Sequence, residues 1–418
     1  MNKCYKSADI LLPDFKKHKA EKWSVVACDQ FTSEPEYWHS AEELVGDAPS
    51  TLNMILPEVY LEETEDRIEK INECMKKYAS ELLCEHPDAM IYVRRTQSDE
   101  TVRHGIVMAI DLEAYDYKKG ATALIRATEA TVIERIPPRV AIRRNASLEL
   151  PHVMLLVDDP SDNVFSALRD KKISDAIYDF ELMMGGGHIT GCMLSDADKE
   201  NVSAALDALI TPEAMAEKYG NSSLAPLLFA VGDGNHSLAT AKATYEEIKA
   251  KLGNAAVDHP ARYALVEVVN IHDESLKFEP IYRIMTDVDA DDVLSSLAAY
   301  IDTLDGTAEP QEIDYIYAGK EGSLTVSAPK QQLTVGTLQI FIDEYIKSHE
   351  GVKVDYIHGE DSVKTLAQKP NSIGFMFDGM AKSQLFKTVI FDGALPRKTF
   401  SMGHAVDKRY YLECRKIK

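Results

Sequence analysis

The hydrophobic positions of the chain follow two spacings, which predict helices interspersed with strands. Between Thr64 and Cys84, apolar residues recur every three or four positions, the period of an amphipathic helix. The segments AMIYVRR and HGIVMAIDL are instead short, apolar and joined by a polar link, so they predict two neighbouring strands. The segments PHVMLLVDD and GGGHITGCML predict two more strands.

The sharpest change of pattern lies between Pro226 and Leu252. The apolar run PLLFAVG predicts a buried strand, and it stops at the pair Asp233–Gly234. Apolar residues then recur at helical spacing on one face, while Lys and Glu occupy the other. The loop 233–237, with the sequence DGNHS, is therefore predicted to connect a buried strand to the start of a helix.

The pattern becomes denser from about residue 287 onward. Short helices and strands alternate there, beginning with DVDADDVLSSLAAYIDTL, a predicted helix with an acidic first turn. We therefore predict a mixed α+β protein in two parts, residues 1–286 and a C-terminal α/β lobe of residues 287–418. No low-complexity linker marks the boundary between them.

Composition restricts the class of protein and the class of partner. The 418 residues are 45% hydrophobic and carry a net charge of −22, which predicts a globular protein and disfavours nucleic acids and anionic membranes as partners. No apolar run approaches the length of about 20 residues that a membrane helix needs, and the first residues lack the pattern of a secretory signal. The six cysteines are scattered without a CxxC pair, which indicates a reduced, cytoplasmic setting.

Two basic segments stand out in this acidic chain. Residues 126–144 contain five arginines and two glutamates, and residues 396–418 contain seven lysines or arginines and two acids. They suggest a local site for a small anionic or phosphorylated ligand, and surface ion pairs are the alternative. The histidines show no metal-binding spacing, so we expect no zinc site, and we expect neither haem nor flavin.

The loop 233–237 has the chemistry of a phosphate site. Backbone N–H groups at the start of a helix lack partners within the helix, and the helix dipole favours anions there. Gly234 permits close approach of a ligand, Asn235 and Ser237 can donate hydrogen bonds, and His236 can donate one or move a proton. A simple turn is the alternative, because two more Asp–Gly pairs follow apolar runs later in the chain.

The sequence DGNHS, followed by an alanine-rich helix, resembles the DGHHR signature of a bacterial family, the domain-of-unknown-function family numbered 1015. The resemblance covers most of the chain, and blocks such as KWSVVACDQFTSEPEYW, YDFELMMGGGHITG and LPRKTFSMGHAVDKRYYLECRKI resemble its anaerobe-type branch. That family has no settled activity, so the resemblance by itself implies no reaction.

The loop is also similar, more distantly, to that of the ParB and sulfiredoxin superfamily, which includes free-serine kinases. This resemblance implies a ParB/sulfiredoxin-like lobe in residues 1–286. It also implies a site for nucleotide phosphates lined by Asp233, Gly234, Asn235, His236 and Ser237. The chain departs from the signature at Asn235, where the first His stands, and at Ser237, where Arg stands. Serine cannot bind phosphate bidentately as arginine does, and the loop has no cysteine for sulfiredoxin chemistry.

The first basic segment offers partners for this loop. Related chains carry an Arg/Glu pairing in a block that resembles RATEATVIERIPPR. The pairing implies that Arg126, Arg135 or Arg139 neutralises phosphate charge and that Glu129 takes a proton, a combination suited to phosphoryl transfer. Alternatively, Arg126 and Glu129 form an ion pair on one face of a helix.

Other polar residues are secondary candidates. Asp29 and Gln30 follow the predicted strand WSVVAC and are flanked by aromatic residues, which are more often part of a core than of a ligand site. Arg397, Lys398 and His404 lie in the second basic segment, which is either a basic closing flap or a surface hairpin.

Three functions remain open from the sequence. The first is a nucleotide-dependent phosphotransferase acting on a small polar, amino-acid-like metabolite, with Glu129 or His236 handling the proton and Asp233 holding Mg²⁺. The second is a non-catalytic sensor of a nucleotide or metabolite, and the third is a scaffold without a ligand. The phosphate site requires at least one basic segment to reach Asp233 in the folded chain, and the sequence leaves this open together with the oligomeric state.

Overall fold

The structure, a computed structural model, describes residues 3–129, 136–150, 152–172, 175–408 and 412–418, without the side chains of residues 61–65 and 138. Contacts divide the chain into two compact units. Unit 1 comprises Met1–Ala127, Thr131–Leu276 and Gly403–Lys418, and unit 2 comprises Thr128–Ala130 and Lys277–Met402. The boundary at residue 286 stays a sequence-based prediction, and in the structure the chain leaves unit 1 after Leu276 and returns at Gly403.

Unit 1 is built on a mixed sheet. Its described strands are β1 (Tyr5–Lys6), β4 (Ile91–Thr96), β5 (Val102–Asp111), β6 (Tyr115–Asp116), β7 (Ile125–Ala127), β9 (Met154–Val157), β10 (Ala176–Glu181), β11 (His188–Met193), β12 (Phe229–Asp233) and β13 (Tyr263–Asn270). Their order is β10-β11-β4-β5-β13-β9-β12-β7-β6, with β1 beside β5. Two separate strand pairs accompany it: β2 (Ala8–Pro13) with β3 (Leu83–Ala89), and β8 (Leu148–Glu149) with β20 (Arg415–Lys416).

Unit 2 contains a second, antiparallel sheet. Its described strands are β14 (Phe278–Thr286), β15 (Gln311–Tyr317), β16 (Lys320–Val326), β17 (Lys353–His358), β18 (Ser372–Met376) and β19 (Phe400–Met402). Their order is β16-β15-β18-β14-β17, with β19 beside β14. The accompanying helices are α7 (Ala290–Asp302), α8 (Thr334–Ser348), α9 (Glu360–Leu366) and α10 (Lys382–Phe391).

The helices of unit 1 are α1 (Pro35–Val45), α2 (Thr64–Glu81), α3 (Ile136–Asn145), α4 (Asp196–Ala208), α5 (Pro212–Tyr219) and α6 (Asn235–Leu252). Helices and mixed sheets thus occur together, which confirms the predicted α+β class. The helix predicted from Thr64 ends at Glu81, because the chain enters β3 at Leu83. Within the described ranges, we find no helix with the length and apolar character needed to cross a membrane.

Strand β12, the third strand from the β6 edge of the large sheet, positions the predicted loop 233–237. Strand β12 is parallel to β7 and antiparallel to β9, with Asp233 opposite Met154. Its first residues, Phe229 to Val231, are fully buried, as the continuous apolar run predicted. Because β9 runs the other way, the residues that precede β9 lie beside the end of β12, where the loop begins.

Candidate functional site

Strand β12 passes into helix α6 through a tight glycine turn. Gly234 is the N-cap residue of α6 and has a φ of 81°, the left-handed region that glycine adopts without a steric penalty. A Cβ atom there would lie 3.0 Å from Val153 Cα, so the backbone also passes close to its neighbour. Asp233 Oδ1 accepts a hydrogen bond of 2.8 Å from Gly234 N, which closes the turn. The predicted strand–loop–helix connection is confirmed.

The N-terminus of α6 lacks a side-chain cap. Because α-helical hydrogen bonds run back four residues, the N–H groups of the first turn have no partner within the helix. Helix α9 in unit 2 also follows a glycine without a side-chain cap, but Glu360 and Asp361 occupy its first turn. The first turn of α6 contains no acidic residue. The dipole and the first-turn N–H groups of α6 are therefore not offset by negative charge within that turn, as they are in α9.

The side chains of the first turn are half-buried and polar. Asn235 Oδ1 is buried and has no hydrogen-bond partner within the described part of the chain, which leaves an amide acceptor for a ligand to satisfy. Ser237 Oγ lies 3.3 Å from His152 Nε2, which comes from the residues just before β9. His236 is half-buried in the same turn, and its carbonyl accepts a hydrogen bond of 2.7 Å from Thr240 Oγ1.

A cation from the second basic segment reaches this loop. Lys408 Nζ lies 3.3 Å from Asp233 Oδ2, and both side chains are about 30% exposed. The carbonyl of Lys408 accepts a hydrogen bond of 2.6 Å from Ala27 N, which fixes the segment against the chain before Asp29. The structure thus answers the question that the sequence left open: a basic segment does meet Asp233.

Asp29 and Gln30 belong to the same neighbourhood. Gln30 Nε2 donates a hydrogen bond of 3.0 Å to Asp29 Oδ1. The Asp29 residue keeps solvent access, although protein atoms surround its carboxyl group. That desolvation raises the pKa of Asp29, but His152, Gln30 and Lys408 together outweigh it, and the net pKa is lowered. Asp29 is therefore an ionised carboxylate at neutral pH.

A cavity of about 160 Å³ adjoins the start of α6, and Arg139 lines it. Arg139, in α3, forms an ion pair with Glu58. Ser237 and His152 line the same cavity, so the structure brings Arg139 and the loop to one concave surface. The cavity is lined by Cys28, Met54, Ile55, Leu56, Met75, Arg139, Ile142, Arg143, Ala146, Leu148, Glu149, Leu150, His152, Val153, Ser237, Leu238, Thr240, Ala241, Ala264 and Leu265.

Arg126 is directed away from the loop. It lies in β7 and is 4% exposed. Its Nε donates to Ala123 O at 2.8 Å, and its Nη2 donates to Ala225 O at 2.9 Å and to Pro226 O at 3.1 Å. These carbonyls precede β7 and β12, whereas the loop 233–237 follows the opposite end of β12. This geometry does not support Arg126 as a phosphate ligand, and burial lowers the pKa of its guanidinium.

Glu129, Arg397 and Lys398 belong to unit 2. Glu129 forms a parallel β-bridge with Leu395, so the alternative in which it pairs with Arg126 on a helix face is wrong. The guanidinium of Arg397 lies 2.5 Å from Asp343 Oδ1, and the carbonyl of Lys398 accepts a hydrogen bond of 3.1 Å from Arg283. Their predicted roles at the loop stay predictions.

Three predicted roles, those of His404, Arg135 and Asp233 as a Mg²⁺ ligand, gain no support from the described contacts. His404 is exposed and lies in unit 1. Arg135 lies outside the described residues. No group of three or more His, Cys, Asp or Glu side chains in the described ranges is arranged to hold a metal ion, so Asp233 as a Mg²⁺ ligand also stays a prediction.

His152 has no role among the sequence predictions, and Lys408 is predicted only as part of the basic segment 396–418. His152 reaches the loop because β9 is antiparallel to β12, and Lys408 reaches it because the chain returns to unit 1 at Gly403. Both depend on contacts between residues far apart in sequence. The basic composition of residues 396–418 is a signal that identifies the segment containing Lys408. It does not identify Lys408 within that segment.

No curated protein matches the chain. A conserved hypothetical protein from Pyrococcus furiosus has a similar structure at 12% identity, covering 71% of this chain and 90% of its own, with a TM-score of 0.32. A mutant free serine kinase in complex with ADP is 10% identical, covering 72% of this chain and 88% of its own, with a TM-score of 0.36. SbnI with a C-terminal truncation, from Staphylococcus aureus, is 11% identical, covering 71% and 82%, with a TM-score of 0.33. These TM-scores are too low to transfer a site or an activity.

One sequence family does match over most of the chain. Its profile, described as a protein of unknown function, aligns with residues 13–385. That range contains β12, the loop 233–237 and all of α6. The chain belongs to the DUF1015 family.

Proposed function

We propose that the loop 233–237 binds the phosphate groups of a nucleotide and that the protein is a nucleotide-dependent phosphotransferase. Its acceptor is a small polar, amino-acid-like metabolite. One observation carries the proposal: α6 begins without a side-chain cap, directly after a buried strand, with Lys408 Nζ 3.3 Å from Asp233 at that point. The N–H groups at the start of a helix, the helix dipole and a nearby ammonium group together favour an anion. The resemblance of DGNHS to phosphate-binding DGHHR loops supports the same assignment.

A divalent cation would be needed to neutralise the charge of a nucleotide's phosphates. Asp233 is the carboxylate of this loop, and oxygen ligands of this type suit Mg²⁺. Its Oδ1 is engaged by Gly234 N and its Oδ2 faces Lys408, so a cation at Oδ2 would replace Lys408 there. Lys408 would then be released towards the phosphates.

Asp29 is the residue that we assign to the proton of the acceptor hydroxyl. The lowered pKa of Asp29 keeps its carboxylate ionised at neutral pH. A general base that takes the proton of the acceptor hydroxyl must be in this ionised form. His236 and Glu129 remain the alternatives predicted from the sequence. His152 and Lys408, which help to lower the pKa of Asp29, come from different parts of unit 1.

Nucleotide binding should be visible as thermal stabilisation. ADP with Mg²⁺ at about 100 times its dissociation constant should add about 2.7 kcal/mol to the free energy of unfolding. Lys408→Ala should weaken ADP binding about tenfold or more, because a hydrogen bond to a charged group contributes about 1.5–3 kcal/mol. His236→Ala should reduce the same shift. A thermal melt with and without ADP, followed by calorimetric titration, measures both effects.

The matched control is Lys251→Ala. Lys251 is an exposed lysine in the last turn of the same helix, roughly 20 Å along the axis from the first turn, so its removal alters net charge equally without touching the loop. Binding of ADP that survives both Lys408→Ala and His236→Ala, or no shift in the wild type, would reduce the loop to a turn and leave the scaffold hypothesis.

Replacing Asp29 separates binding from transfer. Asp29→Asn should lower the rate of phosphoryl transfer by about 10²–10⁴-fold, the typical contribution of a general base, while ADP affinity changes little. Transfer is measured as loss of the γ-phosphoryl group from ATP in the presence of an acceptor. An Asp29→Asn variant with unchanged turnover would return the role to His236 or Glu129.

The second candidate function is a sensor that binds a nucleotide without turning it over. Ser237 stands where the resembling signature has arginine, and its hydroxyl lies beside His152, so it supplies no charge to a phosphate. Nucleotide binding without transfer to any acceptor would establish the sensor. Transfer to any acceptor would exclude it.

A further inference from the structure

We propose that the cavity between α3 and α6 holds a hydrocarbon group of about six carbon atoms that belongs to the phosphoryl acceptor. We call this space the α3–α6 cavity. The inference rests on the proposed phosphotransferase function and specifies the acceptor class: a small amphipathic hydroxy compound with an anionic or polar head and an aliphatic tail. It predicts that the protein prefers acceptors with a longer aliphatic tail, a preference that a site for purely polar acceptors would not have.

The floor of the α3–α6 cavity is apolar and buried. Met54, Met75 and Leu148 line it, and each is at most 5% exposed. Two polar residues of the floor are satisfied within the protein. Thr240 Oγ1 donates to the carbonyl of His236, and Glu149 binds Arg143, Arg415 and the backbone N–H of Leu265. Apart from these two satisfied groups the floor presents hydrocarbon, so a polar group placed against it would lose hydration with little compensation.

The less buried polar lining residues mark the mouth. Arg139, Arg143, His152 and Ser237 are half-buried, in contrast to the buried floor. Ser237 also belongs to the first turn of α6. A molecule whose tail enters the floor consequently has its head at the mouth, next to the proposed phosphate loop. Arg139 supplies the positive charge for an anionic head, in exchange for its ion pair with Glu58.

The size of the cavity sets the size of the tail. Its volume is about 160 Å³, and an apolar protein cavity of about 150 Å³ accommodates benzene, a molecule with six carbon atoms. A one-carbon side chain would leave most of this space empty.

In the transfer, the acceptor hydroxyl oxygen forms a bond to the γ-phosphorus of a nucleoside triphosphate. The bond from that phosphorus to the nucleoside diphosphate breaks, and the hydroxyl proton passes to Asp29.

The test compares two probes with the same head. 2-Hydroxyoctanoate places six carbon atoms beyond its hydroxyl and carboxylate, whereas lactate has one. Calorimetric titration in the presence of ADP and Mg²⁺ should give a dissociation constant about 100-fold or more lower for 2-hydroxyoctanoate, because each buried methylene adds to binding. Equal affinities, or no binding of either probe, would overturn the inference.

Filling the cavity tests where the tail binds. Ala241 lines the cavity and is 4% exposed, so Ala241→Leu should abolish the preference for the longer probe while ADP affinity stays unchanged. Ala250→Leu makes the same change at an exposed position of α6 and should leave the preference intact. Ala146→Leu, at another buried lining position, provides a second filled variant if the first does not fold. A preference that persists in the folded filled variants would overturn the assignment.

The two proposals fail in different ways. ADP binding and phosphoryl transfer without a preference for the longer tail would overturn the acceptor class and leave the proposed function. A tail preference that Ala241→Leu removes, without any nucleotide binding, would overturn the proposed function, and with it the identification of the occupant as a phosphoryl acceptor.

Discussion

Replacing Arg103 with methionine should lower the free energy of unfolding by about 3–5 kcal/mol, the cost of leaving a buried charge without its partner. Arg103, in β5, binds both carboxylate oxygens of Glu267, with Nη2 to Oε2 at 2.9 Å and Nε to Oε1 at 3.2 Å. Glu267 is 0% exposed and Arg103 is 5% exposed, so water cannot replace the guanidinium. Urea-induced unfolding followed by circular dichroism measures the loss.

A second substitution on the same background identifies the cause. Glu267→Gln removes the unpaired charge, so the double variant should recover more than half of the loss. The matched surface pair is Arg144 with Glu247, also at 2.9 Å but exposed. Arg144→Met should leave the midpoint of unfolding nearly unchanged, because solvent screens that pair. Similar losses for Arg103→Met and Arg144→Met would contradict the role assigned to burial.

The buried pair also bears on the candidate site. Glu267 N donates a hydrogen bond of 3.0 Å to the carbonyl of Val153, and Val153 follows His152 directly. Loss of the Arg103 contact therefore weakens the position from which His152 reaches Ser237. We expect Arg103→Met to reduce the free energy of ADP binding by less than it reduces the free energy of unfolding. The loop that binds ADP lies on β12 and α6, and not on β5.

Local sequence patterns predicted the elements around the site well. The apolar run before Asp233 is strand β12, and the helical spacing after it is α6. The spacing of hydrophobic residues over a short stretch of sequence predicts both β12 and α6, because the buried face of each element sets that spacing. The alternative that pairs Arg126 with Glu129 on a helix face is wrong because Arg126 lies in a strand of three residues, too short for a period to show.

The assembly of the site could not be predicted in the same way. His152 and Lys408 approach the loop from distant segments, through the antiparallel register of β9 and the return of the chain at Gly403, and both act electrostatically on Asp29. No local period encodes these encounters, because they depend on which strands pair. The sequence offers Arg126, Arg135 or Arg139 for phosphate charge, and of these Arg126 donates to backbone carbonyls in the structure.

Glu413 gives the protein a pH-dependent stability. Its side chain is 1% exposed, and its Oε1 accepts a hydrogen bond of 2.5 Å from Tyr178 Oη. Burial, with a further contribution from the charge of Glu267, raises the pKa of Glu413 to about 7 from an ordinary value of 4.5. Below that value Glu413 is neutral in the folded protein, while the carboxyl of the unfolded chain is already ionised above pH 4.5.

Wild-type protein should therefore lose about 3 kcal/mol of stability relative to Glu413→Gln between pH 4.5 and pH 7, since each unit of pKa shift corresponds to about 1.4 kcal/mol. The sign follows from the raised pKa. The folded state holds the proton more tightly, so this contribution is complete below the unfolded pKa and is lost as the pH rises through 7. Glutamine keeps an acceptor for Tyr178 and cannot ionise, so the variant lacks this dependence. Urea titrations at half-unit pH steps measure the difference between the two proteins. Parallel curves across this range would contradict the raised pKa of Glu413 in the folded protein.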